Sequence, residues 1–165
     1  MKKIYFIILA FFIYPITLIG QNSATASFTA SVTIIDPIEI RNTANMNFAS
    51  IDARKGGSVT LHTDNTRTVT GDIILENASS VSAAEFEVKG QNGYTYDITI
   101  PEGNYIMISG TKEILLSNFK ISSDSNTLNT DSQIFKIGAT IEVEGNQKPG
   151  RYITPTPLEV TVSYN

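Results

Sequence analysis

The chain has 165 residues, with no cysteine and no tryptophan, and twelve basic against sixteen acidic side chains. The missing cysteine excludes disulfides, thiolate metal centres, cysteine nucleophiles and a lipid anchor on cysteine. Lys2 and Lys3 are the only charges in the first twenty residues, so residues 21–165 hold ten bases against sixteen acids, a net −6 that speaks against nucleic acid and anionic membrane surfaces as partners.

Residues 1–20 read as an export signal. Lys2 and Lys3 form a short positive region, Ile4 to Ile19 is uncharged and almost wholly apolar with Pro15 as a breaker, and Gly20 is a small residue at the cut. This run is shorter than the roughly 20 apolar residues of a membrane-spanning helix, and no basic stop-transfer cluster follows it. Cleavage after Gly20 is preferred, with Ala24 and Ala26 as a second small-residue pair. The remainder, 21–165, has the size of one domain and no further segment apolar enough to span a membrane.

Beyond the signal, apolar residues recur with period two, the mark of strands buried on one face. Phe28, Ala30, Val32 and Ile34 alternate with Thr29, Ser31 and Thr33, which predicts a first strand. Shorter candidates follow at Ile38–Arg41, Met46–Ser50, Ser58–Thr63, Asp72–Glu76, Ala84–Lys89, Tyr94–Ile100, Tyr105–Ile108 and Leu115–Ser122. Gly56 with Gly57, and Asn92 with Gly93, read as turns between them. Ser122–Ser132 reads as one long polar loop. The clearest strand is Phe135–Glu144, with Phe135, Ile137, Ala139, Ile141 and Val143 on one face, and Leu158, Val160, Val162 and Tyr164 form a last one. No stretch keeps a helical period, so the expected fold is all-β: a single antiparallel β-sandwich, immunoglobulin-like or pilin-like, over 21–165.

These residues resemble a bacterial family, the domain of unknown function 4402. The resemblance runs through Met46, Phe48, Gly56, Gly57, Val59, Leu61, Arg67, Thr68 and Gly71. It continues through Ser82 to Ala84, Phe86, Val88, Gly90, the run Tyr96–Pro101, Phe135, Ile137 to Ala139, Gln147, Gly150, Tyr152 and the ending Val160–Asn165. One departure stands between Tyr152 and Leu158, where Thr154 to Pro157 replace an expected glycine and aromatic. The family carries no catalytic residues to transfer; the resemblance implies an exported surface protein, distantly similar to spore-coat and fimbrial subunits.

The residues offer little catalytic chemistry. His62, the one histidine, falls on the outward face beside inward Val59 and Leu61, and a lone histidine completes neither a hydrolytic triad nor a metal site. Glu142 with Glu144, and Glu85 with Glu87, lie two apart on strand faces, within glycosidase range. A solvated face, however, does not raise the pKa of a general acid, and without tryptophan a sugar platform is thin. Asp124, Asn126, Asn129 and Asp131 place oxygens at short intervals as a minor calcium candidate, most simply read as a polar loop. Asn77–Ser79 is a sequon of no weight. No enzyme, catalytic residue, cofactor or metal is expected.

Two readings of function stay open. One is a structural or adhesive surface subunit that meets copies of itself or related subunits through edge strands, with Phe28–Ile34 as a donor strand and Tyr164 the penultimate aromatic of a pilin-like ending. The other is a secreted module binding a glycan or other ligand through Tyr94, Tyr96, Tyr105 and Tyr152. Periplasm, outer surface and medium all suit an exported chain. The intact mass of the protein recovered from an exporting bacterial host is expected to begin at Gln21; a mass retaining residues 1–20 overturns the signal reading.

Overall fold

The computed structural model describes residues 23–76, 80–122 and 125–165. The chain divides into two compact units, Met1–Ile34 and Ile35–Asn165. Residues 1–20, read as the signal, lie outside the described residues. Among the described residues there is no helix, and nine strands, all in the second unit, pair antiparallel throughout.

The strands are β1 (Glu39–Ala44), β2 (Ile51–Leu61), β3 (Arg67–Leu75), β4 (Ala84–Lys89), β5 (Tyr96–Thr99), β6 (Tyr105–Ser109), β7 (Lys112–Ile121), β8 (Ser132–Glu144) and β9 (Thr161–Tyr164). β8 does what its alternation predicts: Phe135, Ile137, Ala139, Ile141 and Val143 are all buried. β7 ladders along one edge of β8, and the other edge is shared, β4 pairing with Ser132–Ile137 and β2 with Ala139–Glu144. Gly138 marks the handover, where a Cβ would overlap the Leu61 carbonyl. β1 extends the sheet beyond β4, β3 beyond β2 and β6 beyond β7, giving seven strands; β5 and β9 form a second, two-stranded sheet.

One interior runs along the odd-numbered face of β8. At one end Phe48, Val59, Leu61, Ile73, Ile114 and Leu116 pack around Ala139, Ile141 and Val143. At the other, Val88, Tyr96, Leu128, Phe135 and Ile137 form a second cluster, against which Ile98, Val162 and Tyr164 of the small sheet pack, with Val160 just ahead of β9. Phe86 stacks on its ladder partner Phe135 at 5.3 Å. This is the all-β sandwich the sequence implies.

Four local expectations are corrected. Phe28–Ile34 is not a strand, and every residue from 23 to 34 is exposed. Gly56 and Gly57 are not a turn but lie inside β2, where the ladder to β3 shifts register between Ala53 and Gly57. Gly57 has φ 147° and a Cβ there would overlap the Thr70 carbonyl, so the glycines make a bulge that lets the two backbones close in. Met46–Ser50 is a crossing segment with one bridge, Asn47 to Ser82, and a buried Phe48. Arg67 holds it: Nη1 donates to the carbonyls of Phe48 (2.7 Å) and Ser50 (3.3 Å), and Nη2 to that of Glu76 (2.9 Å). Within Ser122–Ser132, of which 123 and 124 are not described, Leu128 is fully buried rather than part of a polar loop.

The Asn92–Gly93 turn forms, closed by the Tyr94 N–H on the Gln91 carbonyl, but it links strands of different sheets instead of a hairpin. Past Tyr152 the chain bridges Ile153 to Ile108 before entering β9. Gly57→Ala forces a side chain into an occupied space at a φ that L-residues avoid. It is expected to cost about 2 kcal/mol or more in urea unfolding, within the range of backbone strain.

Candidate functional site

β9 is paired on one side only. It ladders with β5 through Tyr96↔Tyr164, Asp97↔Ser163, Ile98↔Val162 and Thr99↔Thr161. The far side of β5 is covered at its start, where the 126–128 segment bonds to Tyr96 and the residues before it: Tyr96 N–H donates to the Asn126 carbonyl (2.8 Å), Leu128 N–H to that of Tyr94 (3.0 Å) and Gly93 N–H to that of Leu128 (2.7 Å). On the far side of β9 no described strand pairs; β1 lies against it but takes its ladder from β4.

The side chains along this seam show the consequence. Leu158, Val160, Val162 and Tyr164, alternating inward, stay half-buried, as do Ile38 and Ile40 from β1, whereas Val59, Leu61 and the inward face of β8 are closed off from water. These half-buried side chains flank the edge of β9 that no described strand pairs.

Tyr164 fixes one end of the seam. Its hydroxyl accepts the Gln91 N–H at 2.6 Å and donates to the Asp36 carbonyl at 2.9 Å, while the Asp36 N–H donates to Gln91 Oε1 at 3.3 Å. Gly90 makes room, since a Cβ there would overlap the Tyr164 hydroxyl oxygen. Tyr94 packs edge-on against the Tyr164 ring at 5.5 Å. Asp36, the last residue before Pro37 and the strands, is thus tied to the C-terminal end of β9.

In the first unit, residues 23–34 join no ladder. Phe28 is 92%, Val32 86% and Ile34 90% exposed. A run of large apolar side chains spaced for one face of a strand is left entirely in water, an unusual arrangement for a segment with no partner.

The other candidates are dispersed. His62 is exposed, its Nε2 3.0 Å from Thr68 Oγ1, and the hydroxyl and N–H of Thr66 hold the Asp64 carboxyl below its usual range. Glu142 and Glu144 are exposed beside an open depression of about 650 Å³. Glu85 is held below the usual carboxylate range by the Thr43 hydroxyl and then by Lys136, and Glu87 pairs with Arg41 at 3.0 Å and Lys89 at 3.8 Å. Asp124 and the sequon Asn77–Ser79 lie outside the described residues, and among those described no three acidic or histidine side chains are grouped to hold a metal.

The tyrosines do not form a ledge. Tyr96 is fully buried, which raises its pKa; Tyr105 packs edge-on against Phe119; the Tyr152 hydroxyl donates to the Lys148 carbonyl and accepts from Gln147. Sequence reasoning missed Leu128 and the Arg67 clamp. A single leucine inside a polar run was the available signal for the first, and nothing local marks the second.

The family model for the domain of unknown function (DUF4402) matches residues 38–164, from the first residue of the seam to the tyrosine that closes it. The chain belongs to that family. No curated protein and no solved structure matches it. The matched stretch begins after the exposed apolar segment, so the DUF4402 domain and the compact β unit nearly coincide. Tyr164→Phe keeps the ring and removes the bridge, leaving the Gln91 N–H and Asp36 carbonyl to find other partners. Thermal unfolding of this variant is expected to show a loss of about 1–2 kcal/mol.

Proposed function

We propose that this chain is an exported, non-enzymatic structural subunit of a surface assembly, held to its neighbour by Phe28–Ile34 acting as a donated strand. One observation carries the reading: the segment has the alternation of a half-buried strand, yet its apolar side chains stand in water. Burying Phe28, Val32 and Ile34 would stabilise by about 1.5–3 kcal/mol each before ordering costs. Backbone pairing with an open sheet edge adds affinity, and the alternate side chains add register. Residues 21–35 carry no charge, so nothing in the segment resists burial.

The remaining chemistry supports a structural role. Glu142, Glu144 and the one histidine are exposed, Glu85 and Glu87 are taken up by Lys136, Arg41 and Lys89, and the tyrosines are engaged in packing and hydrogen bonds. Export follows from the reading of residues 1–20.

The processed chain, 21–165, is expected to form concentration-dependent multimers in sedimentation velocity, and Val32→Asp to sediment as a monomer. Because Val32 is exposed, its replacement leaves domain stability within about 0.5 kcal/mol. A wild-type chain that stays monomeric at every concentration sinks the proposal.

A further inference from the structure

Resting on that reading, we infer that the acceptor is the β9 edge of a second copy of this same chain, and that the segment enters antiparallel to β9. The two partners match in length and pattern. Phe28, Ala30, Val32 and Ile34 alternate over seven residues, and Leu158, Val160, Val162 and Tyr164 alternate over seven more. The segment would span roughly 23 Å as an extended strand, and Thr161–Tyr164 of the acceptor stretch is already strand. The far edge of β9 has no described partner, and the half-buried Ile38, Ile40, Val160, Val162 and Tyr164 beside it would close over the incoming apolar face.

Polarity separates a second copy from the chain's own segment. Asp36 is tied through the Tyr164 hydroxyl to the C-terminal end of β9. A segment folding back from Asp36 along its own β9 would bring Ile34 beside Tyr164 and Phe28 beside Leu158, which is a parallel pairing. Every ladder in the domain is antiparallel, and parallel pairs are somewhat weaker per residue. Folding back also needs a reversal at Ile35–Pro37. Asp36 precedes a proline, which holds it extended, and its N–H and carbonyl are already engaged by Gln91 and Tyr164. A second copy meets neither obstacle and delivers Phe28 to the Tyr164 end.

The absence of native cysteine makes the test direct. Thr29, Thr33 and Ser163 are exposed positions whose side chains alternate away from the apolar faces. Processed Ser163→Cys chain is mixed with either Thr29→Cys or Thr33→Cys chain and oxidised, and peptide masses identify the disulfides. The expected result is a 29–163 bond between molecules, at least tenfold over any 33–163 bond. A dominant 33–163 bond between molecules overturns the polarity. If the mixtures give no bond but the double variant Thr33→Cys/Ser163→Cys closes as a monomer, the chain fills its own edge, and the second copy is overturned while strand addition stands. No bond in any combination, with Val32→Asp sedimenting as wild type, brings down the donation reading itself.

Discussion

Every second side chain of β8 must leave water over thirteen residues, and most of the domain's geometry follows from how that demand is met. Two shorter strands, β4 and β2, share one edge of β8 end to end while β7 runs along the other, so a single buried face is enclosed by three partners. The handover at Gly138 works because no side chain stands between β8 and the Leu61 carbonyl. On the opposite face Thr140 bonds Thr60 at 2.9 Å, which satisfies a hydroxyl that the surrounding strands have nearly buried. The glycine bulge in β2 then bends the outer strands over the same interior.

Much of this was legible in residue spacing. Ala84–Lys89 reads as a strand with the bounds β4 has, and the buried set of β8 follows from alternation alone. Alternation fixes a face but not a partner, which is why Phe28–Ile34 reads like any first strand although it pairs with nothing among the described residues. Glycine pairs are ambiguous for a related reason. The freedom that allows a turn also allows two backbones to touch, and only the neighbouring strand, here Thr70 and Gly71, decides between them. Leu128 and Arg67 lie beyond local reading, since each is defined by other segments: Tyr94 for the leucine, and Phe48 and Glu76, on either side of it in sequence, for the arginine. The candidate site was visible in its two halves, the alternating start and the tyrosine-bearing end, but the unpaired edge was not, because it depends on which strand β9 lacks.

Some other edges of the domain are interrupted or partly covered. β3 is interrupted at Gly71 opposite the bulge, β6 carries the Ile153 bridge, and β5 is covered by the segment around Leu128. Such devices prevent indiscriminate pairing of exposed strands. The facing edges of β1 and β9 carry no such device among the described residues, and the family match, which runs from Ile38 to Tyr164, encloses both while stopping short of the apolar segment.

The Tyr164 bridge also has a mechanical meaning. Tension applied to residues ahead of Asp36 is received first by the Gln91 and Tyr164 hydrogen bonds and next by the β1–β4 ladder from Glu39↔Lys89 to Asn42↔Phe86. A pull directed along β1 would load the bonds of that ladder together in shear instead of peeling them one by one. Because β4 is itself laddered to β8, the pull passes from there into the strand that organises the interior, so the anchor is backed by the best-packed part of the fold.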